Sequence, residues 1–310
     1  MNEIELIALL TQSLPMNNTV VTGAGDDCAV LDLGLPGQWL LFKTDAVVAE
    51  VHFDAGARPE QIGHKAMGRC LSDIAAMAGS PVAALVTLGL PPHFDPCWVA
   101  AIYAGMKSLA QRYNVAIVGG ETTTSPDRTF ISISMIGTVD KSKCVLRSGA
   151  RAGDAILVSG TLGGSWAGKH LEFAPRVNEA RWLADHFAIH AMLDVSDGLA
   201  SDLRHILNAS GVGAELLARD IPISPAASQT AHGPLSAHAP LNAALTDGED
   251  FELLFTLAGA DTVRLLDAWH PQFPSLPLTC IGKITAEPGL KLRDRDQVRE
   301  VTEQGYVHFA

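Results

Sequence analysis

The residues of this chain that are best suited to chemistry are carboxylates in short polar segments, most of them beside Gly, Ser or Thr. They are Asp26, Asp27, Asp45, Asp73, Glu121, Asp194, Asp197, Glu249 and Asp250. Clustered carboxylates repel one another unless cations bind them, and oxygen-rich sites of this kind suit Mg²⁺, Mn²⁺ or Ca²⁺. Asp and Gly are also common in ordinary turns, so one such motif alone is uninformative. Their repetition predicts a divalent-cation site, in which removing one charge should relieve repulsion in the ion-free protein.

Other chemistries find little support in the sequence. The segment 163–169 fits the G-x-x-x-x-G-K spacing of a phosphate-binding loop, but His170 follows where such a loop needs Ser or Thr to hold Mg²⁺. We therefore interpret this match as coincidental. No G-x-G-x-x-G follows a predicted strand, and no G-x-S-x-G occurs. Among the histidines, His52 beside Phe53 is the candidate for a functional role, although a lone His is more often structural.

Composition limits the class of protein. The chain has 310 residues, which suggests two domains. A hydrophobic fraction of 47% excludes disorder for most of the chain, and a net charge of −12 argues against nucleic acid or an anionic membrane as the main partner. The five cysteines form no C-x-x-C pair, the first 42 residues contain no Lys or Arg, and no apolar run approaches 18 residues. We therefore expect a cytoplasmic protein without a membrane span.

Hydrophobic periodicity predicts the elements that position the carboxylates in the first half. The alternation of Ile131, Ile133 and Met135 with serines predicts a half-buried strand, and Asp95-Pro96 predicts a helix start. The predicted elements are a helix in 1–14, strands 28–31 and 39–43 (the latter ending at Thr44-Asp45), a helix 60–79, a strand 82–90, a helix from Asp95, and strands 115–118 and 130–138. This mixed order with segregated helices predicts an α+β fold rather than a doubly wound sheet.

A polar, Gly-containing stretch at 147–154 separates the two halves, so we place the domains at 1–148 and 149–310. The predicted elements of the second domain are strands 155–158, 192–193, 251–256 and 278–284, helices 199–207 and 261–269, and a surface loop 222–240. Gly211 is expected to stop the first of these helices.

An ordered set of motifs spans nearly the whole chain: Gly25-Asp26-Asp27-Cys28-Ala29, Thr44-Asp45, His52-Phe53, Leu71-Ser72-Asp73-Ile74, Gly119-Gly120-Glu121-Thr122, Arg147-Ser148-Gly149, Asp194-Val195-Ser196-Asp197-Gly198, Gly248-Glu249-Asp250-Phe251 and Gly305-Tyr306-Val307-His308-Phe309. This set resembles the thiamine-monophosphate kinase family, within the wider aminoimidazole ribonucleotide synthetase-like superfamily. The resemblance implies a homodimer whose N-terminal α+β domain binds ATP and several Mg²⁺ ions and pairs its sheet with a second subunit. It also implies a C-terminal α/β domain that completes the site for thiamine monophosphate, which is converted to thiamine diphosphate.

The resemblance also implies roles for individual residues. The Mg²⁺ ligands would be Asp27, Thr44, Asp45, Asp73, Glu121, Asp194 and Asp197; ATP would contact Gly120, Glu121, Arg147 and Ser196; the thiamine phosphate would contact His52, Glu249 and Tyr306. Two features depart from the family. Glu121 stands where Asp is common, and the region 166–182 is shorter than in many members, which argues against a helix there.

The implied reaction suits a chain without an obvious general base, because a phosphate monoester with a second pKa of about 6 is already a nucleophile at neutral pH. Metal-assisted transfer then needs no catalytic acid or base from the protein. A metal-dependent phosphohydrolase and a non-enzymatic metal or nucleotide sensor remain as alternatives, as does another ATP-using member of the superfamily. A selenophosphate synthetase would need a reactive Cys, whereas Cys28 has no basic neighbour; a hydrogenase-maturation protein would need a C-terminal Cys, whereas this chain ends His308-Phe309-Ala310.

Overall fold

Two β-sheets with their own helices organise the described part of the chain. The computed structural model describes residues 3–229 and 240–306. The elements of the first half are α1 (Glu3–Thr11), β1 (Val20–Thr22), β2 (Ala29–Leu31), β3 (Gln38–Val48), α2 (Pro59–Ala76), β4 (Ser80–Leu90), α3 (Pro96–Arg112), β5 (Ala116–Thr124) and β6 (Phe130–Asp140). Those of the second half are β7 (Asp154–Ser159), α4 (Lys169–Glu172), α5 (Val177–His186), β8 (Ile189–Asp194), α6 (Leu199–Ser210), β9 (Gly213–Leu217), α7 (Pro225–Gln229), α8 (Pro240–Thr246), β10 (Leu253–Ala258), α9 (Thr262–Gln272), β11 (Leu278–Thr285), β12 (Gly289–Asp294) and β13 (Gln297–Glu300).

The described residues divide into two compact units. The N-terminal unit consists of Thr19–Cys144 together with Gly168–Val177, and the C-terminal unit contains the other described residues, including α1. Each unit combines one sheet with helices, so the predicted mixed α+β fold is confirmed. Over 3–229 and 240–306, no helix has the length and apolar character required to cross a bilayer.

The sheet of the N-terminal unit has the strand order β1-β2-β3-β6-β4-β5, and of its neighbouring strands only β4 and β5 run parallel. Along β6 every second residue is buried, with Ile131, Ile133 and Met135 inward, as the alternation with serines predicts. The inward face packs against α2. The opposite face is open, since Phe42 and Leu85 on it are 46% and 47% exposed.

Two glycines allow α2 and α3 to cross closely on the covered face of this sheet. A Cβ at Gly63 would lie 1.9 Å from the carbonyl oxygen of Ile102, and a Cβ at Gly105 would lie 1.9 Å from that of Glu60. Any larger residue at either position would force the helices apart. The close crossing therefore holds one face of α2 over β3, which places the charged residues described below.

The sheet of the C-terminal unit has the strand order β13-β12-β9-β11-β7-β10-β8. All residues of β7 and nearly all of β10 are buried, so both faces of the sheet are covered at these two antiparallel strands. Helix α6 contributes Leu203, Ile206 and Leu207 to the core of this unit. Gly211 ends the helix in the left-handed conformation, with φ of 68°, as its position in the sequence predicts.

Several elements differ from their predicted bounds. Strand β3 does not end at Asp45 but continues to Val48, and β5 continues through Glu121 to Thr124. Strands β1, β9, β12 and β13 were not predicted, because they are short or carry charged residues in place of a clear apolar alternation. The region 166–182, whose shortness argues against a helix, contains all of α4 and the start of α5. The predicted loop 222–240 contains α7, and its residues 230–239 lie outside the described part of the chain.

Candidate active site

Four charged side chains form an alternating array between β3 and α2. Lys43 and Asp45 are two residues apart on the strand, and Arg69 and Asp73 are four residues apart on the helix, so each pair shares one face. The Nζ atom of Lys43 lies 2.8 Å from Oδ1 of Asp73. Arg69 donates from Nε to Oδ2 of Asp45 at 2.8 Å and from Nη2 to Oδ1 at 3.3 Å. In this ion-pair array, each carboxylate is neutralised by a basic group from the other element.

Asp27 joins the ion-pair array from the turn before β2. It is only 2% exposed, and one of its carboxylate oxygens lies within 4.8 Å of one from Asp73. Its own N–H donates to the carboxylate of Asp26 at 3.0 Å, which braces the turn. Carboxylate oxygens at this separation are the donor type that Mg²⁺ requires, so the residues present fit that ion.

The charges of the array determine how its members ionise. Burial alone would raise the pKa of Asp45, but the charge of Arg69, followed by that of Lys43, holds this pKa below its ordinary value. Burial alone would lower the pKa of Lys43, but the charges of Asp73 and then Asp45 raise it above its ordinary value. Lys43 and Asp45 are therefore both charged at neutral pH.

Cysteine chemistry finds no support beside this array. Burial, followed by the charge of Asp73, raises the pKa of the Cys28 thiol well above its ordinary value, and burial does the same for Cys70. A thiol with a raised pKa is a poor nucleophile at neutral pH. Both cysteines are completely or almost completely buried, so we interpret them as packing residues.

Thr44 and Glu121 lie on the open face of the sheet, opposite the ion-pair array. The Thr44 hydroxyl accepts a hydrogen bond from Ser134 on that face at 3.2 Å. Glu121 pairs in register with Thr87 and is exposed. The register places Gly120 in the same row as Asp45 but three strands away, roughly 14 Å at the usual strand spacing. Within one chain, the structure does not bring Glu121 or the Thr44 side chain to Asp45.

Gly120 is required where it stands. It has φ of 151°, and a Cβ there would lie 1.7 Å from the carbonyl oxygen of Val86 on β4. The close approach of β5 to β4 therefore excludes a side chain at position 120.

The backbone of His52 is held by a buried lysine that no sequence motif indicates. The Nδ1 atom of His52 accepts a hydrogen bond from the Val48 N–H at 3.1 Å, so in a neutral ring the proton is on Nε2. The Nζ atom of Lys65, which is completely buried, donates to the carbonyl oxygen of His52 at 2.6 Å and lies 2.9 Å from Nδ1 of His170. Lys65 thereby ties the loop carrying His52 to the segment that contains α4.

In the C-terminal unit, one carboxylate organises the loop that follows β8. Oδ2 of the buried Asp202 accepts hydrogen bonds from the backbone N–H groups of Ser196, Asp197 and Gly198, each at 3.0 Å. Asp194 is the last residue of β8, as predicted, and is buried. This loop therefore has a fixed backbone from which Asp194, Ser196 and Asp197 extend.

Two further predicted site residues pack against the same loop. The N–H of Glu249 donates to the carbonyl oxygen of Ser196 at 2.7 Å, and that of Tyr306 donates to Asp197 at 3.0 Å. Glu249 has a positive φ of 58°, which is unusual for a residue with a side chain and is often found at functional sites. Burial, followed by the charges of Glu3 and Glu249, raises the pKa of Tyr306. The structure thus brings together five predicted residues: Asp194, Ser196, Asp197, Glu249 and Tyr306.

Arg147 is positioned by the strand end and helix end that flank it. The carbonyl oxygen of the preceding residue, Leu146, accepts from the N–H of Met192 on β8 at 3.1 Å. Ser210, the last residue of α6, accepts from the N–H of Gly149 at 3.1 Å and donates to the carbonyl oxygen of Arg147 at 3.4 Å. Arg147 therefore stands in an anchored segment.

The segment with phosphate-loop spacing uses its amides internally. The N–H of Gly163 donates to the carboxylate of Asp250, at 2.9 Å to Oδ2, and the N–H of Gly164 donates to Asp247 at 3.0 Å. A phosphate-binding loop needs such amides for its ligand. The structure therefore agrees with the interpretation of this match as coincidental.

Sequence reasoning missed the basic members of the site, Lys43 and Arg69, and the two positioning residues Lys65 and Asp202. A signal for the first pair was present, since Lys43 is two residues from Asp45 and Arg69 is four from Asp73. Those spacings place opposite charges on one face of a strand and of a helix. Predicting the pairing also requires the position of α2 along β3, which cannot be derived from these spacings.

Comparison with known families covers both halves of the chain. Residues 25–139 match the family model of the AIR synthase related protein, N-terminal domain, and residues 151–295 match that of the C-terminal domain. The chain is 39% identical over 307 residues to the thiamine-monophosphate kinase of Rhodopirellula baltica, covering 96% of this chain and 93% of the relative. It is 35% identical to the thiamine-monophosphate kinase of Escherichia coli K12, covering 94% and 93%.

Solved structures resemble the chain over the same extent. A structure of AaThiL complexed with AMPPCP and TMP is similar with a TM-score of 0.84 and 30% identity, covering 99% of this chain and 97% of that one. The thiamine-monophosphate kinase of Stenotrophomonas maltophilia K279a is similar with a TM-score of 0.73 and 32% identity, covering 93% and 95%. Escherichia coli HypE, a hydrogenase maturation protein, is 23% identical and shares the fold, with a TM-score of 0.73 and 96% of each chain covered.

Proposed function

This chain belongs to the AIR synthase related family, among its thiamine-monophosphate kinases, and we propose that it transfers the terminal phosphoryl group of ATP to thiamine monophosphate, yielding thiamine diphosphate and ADP. The observation that carries this proposal is the match, over 99% of the chain, to a relative solved with AMPPCP and TMP. The carboxylate-rich sites described above support it independently of that match. Because the co-substrate is ATP, we place the reaction in the cytoplasm.

The acceptor determines what the protein has to supply. A phosphate monoester is largely dianionic at neutral pH and can attack without a general base. The barrier lies in bringing two polyanions together in line, so positioning and neutralisation of charge are the main tasks. Mg²⁺ ions, when bound, would neutralise the phosphates. The protein's own residues would hold those ions and orient the two substrates.

The N-terminal domain, for which we keep the bounds 1–148, would hold several Mg²⁺ ions. We assign Asp27, Asp45 and Asp73 as ligands, because their carboxylates lie in or beside the ion-pair array. Thr44 and Glu121 lie on the open face and would bind Mg²⁺ there, and Glu121 and the backbone at Gly120 would contact ATP. His52, whose loop Lys65 fixes, would bind the thiamine phosphate.

The C-terminal domain, 149–310, would contribute residues from the loop after β8. We assign Asp194 and Asp197 as Mg²⁺ ligands and Ser196 as an ATP contact, because Asp202 holds this loop rigid. Arg147 in its anchored segment would bind the ATP phosphates. Glu249 and Tyr306, which pack on the same loop, would bind thiamine monophosphate.

We also propose a homodimer that forms through the open face of the N-terminal sheet. Large apolar side chains remain exposed on the strands of this sheet: Val21, Phe42, Val82, Leu85 and Val118. Several exposed apolar residues on one sheet are typical of an interaction surface. Sedimentation of the parent and of Phe42→Lys would test the dimer, which the added charge should dissociate.

The decisive experiment for the activity uses purified protein with ATP, Mg²⁺ and thiamine monophosphate, scored for thiamine diphosphate. Asp27→Asn serves as a control: it keeps the shape of the site but removes the charge of one proposed Mg²⁺ ligand, so it should form less thiamine diphosphate. ATP hydrolysis that is indifferent to thiamine monophosphate, with no diphosphate formed, would instead support the phosphohydrolase. Nucleotide binding without any turnover would support the sensor.

A further inference from the structure

The carboxylates assigned as Mg²⁺ ligands already have cations beside them. Lys43 contacts Asp73 at 2.8 Å, and their side chains are 23% and 10% exposed. Arg69 contacts Asp45 at 2.8 Å, and their side chains are 16% and 21% exposed. These pairs are mostly shielded from water, so their attraction is much less screened than that of a surface pair.

Lys43 differs from Arg69 in the shape of its charged group. Arg69 binds both oxygens of Asp45 in a forked geometry. Lys43 presents a compact ammonium, and its charge acts on Asp73, Asp45 and Asp27 together. A divalent ion on Asp27 and Asp73 would therefore meet a fixed positive charge a few ångströms away.

We propose that Lys43 is a positioning residue that serves as a resident cation of this carboxylate cluster, holding Asp73 in place before Mg²⁺ arrives and reducing the affinity of the cluster for divalent ions. The inference rests on the proposed function only in taking Asp27 and Asp73 as ligands of the ion. It has two consequences. Without divalent ions, Lys43 stabilises the fold. When divalent ions are present, Lys43 competes with them for the carboxylate of Asp73.

The test compares Lys43→Met, which keeps the length of the side chain but removes the charge, with Lys43→Arg, which keeps the charge. Mn²⁺ binding to the full chain is measured by electron paramagnetic resonance, without nucleotide or thiamine monophosphate. We expect Lys43→Met to bind Mn²⁺ at least about tenfold more tightly, because a unit charge this close repels a divalent ion strongly. Lys43→Arg should bind Mn²⁺ nearly as the parent does.

Thermal unfolding gives an independent readout. In EDTA, Lys43→Met should unfold about 3 °C or more below the parent, since the neighbouring carboxylates of Asp73 and Asp27 then lose the positive charge of Lys43. Added Mn²⁺ should raise its melting temperature by more than it raises that of the parent. Lys141→Met is the matched control, because Lys141 pairs with Asp32 at 2.5 Å in the same unit but outside the array. It should leave Mn²⁺ affinity unchanged.

A different result is expected if Lys43 only stabilises the fold and does not compete with divalent ions. The melting temperature in EDTA would fall, but the affinity for Mn²⁺ would stay at the parent value or weaken, and that result would overturn the proposal. If Lys43→Met does not fold, Lys43→Gln provides a second neutral variant that can still donate to Asp73, and parent-like Mn²⁺ affinity there overturns the proposal equally. Because these measurements omit both substrates, their outcome is separate from that of the kinase assay.

Discussion

The guanidinium of Arg69 binds both oxygens of Asp45, at 2.8 Å through Nε and at 3.3 Å through Nη2. The strand and the helix that carry these residues are thereby joined by a forked pair that is largely shielded from solvent. Asp45 is thus both a proposed Mg²⁺ ligand and a structural tie between β3 and α2.

We predict that Asp45→Asn lowers the stability of the ion-free protein. A cluster of carboxylates that repel one another would gain stability from this change, but here the change removes the carboxylate charge with which the mostly buried Arg69 pairs. We expect a loss of about 1–3 kcal/mol in the free energy of unfolding, less than for a fully buried pair because both groups retain some exposure. Urea unfolding in EDTA measures the difference. Glu172→Gln, at the exposed pair with Arg58, should change stability by less than about 0.5 kcal/mol.

The same pair predicts a dependence of stability on pH. The pKa of Asp45 is lower in the folded protein than in the unfolded chain, so its ionised form stabilises the fold. This contribution is complete above the unfolded pKa of about 3.9 and is lost as the pH falls through the folded value. The difference in unfolding free energy between the parent and Asp45→Asn should therefore be constant from about pH 5 to 7 and shrink below about pH 4. A difference that grows on acidification would contradict the assignment.

Lys169→Ala should leave ATP affinity nearly unchanged. The amides of Gly163 and Gly164, which a phosphate-binding loop would offer to its ligand, donate to Asp250 and Asp247 instead. Equilibrium binding of a non-hydrolysable ATP analogue in Mg²⁺ measures the effect, and Arg147→Ala provides the comparison that should weaken binding. A hundredfold loss of affinity in Lys169→Ala would show that the loop binds phosphate after all.

Glu121→Gln should raise the Mg²⁺ concentration needed for the half-maximal rate, because it removes a charge on the open face while nearly preserving shape. Glu121→Asp should be tolerated better, since it keeps the charge and restores the residue common in the family. The readout is a Mg²⁺ titration of turnover at saturating ATP. If the Gln variant is indistinguishable from the parent at limiting Mg²⁺, Glu121 is an ordinary solvated carboxylate and leaves the site.

The elements that are predicted correctly from the sequence are those that a short run of neighbouring residues determines. The alternation along 130–138, the cap at Asp95 and the stop at Gly211 each depend on a few neighbouring residues. The sequence predicts a strand end at Thr44-Asp45, because polar residues usually interrupt a buried strand. Here the strand continues, since the inward charges of Lys43 and Asp45 are neutralised by α2.

The site shows the same division. The carboxylates could be selected from their motifs, and Asp194 does lie at the end of its strand. The register of the strands determines the face of the sheet on which each residue lies. It places Thr44 and Glu121 on the face opposite Asp45. Lys65 binds a backbone group 13 residues away in the sequence, and Asp202 binds backbone groups 4 to 6 residues away. Neither residue belongs to the motif that it supports, so the motif does not predict it.

The three amides held by Asp202 have a thermodynamic consequence for nucleotide binding. Successive N–H groups at the start of a helix normally attract a phosphate, yet at 196–198 they are saturated by a carboxylate of the same chain, as the amides of Gly163 and Gly164 are. These five amides are not available to a triphosphate, which leaves Arg147, the backbone at Gly120 and bound Mg²⁺ as its proposed contacts. Because Mg²⁺ would supply part of that contact, the free energy of nucleotide binding should be linked to divalent-ion activity: chelation should release ATP and, reciprocally, ATP should recruit the ions.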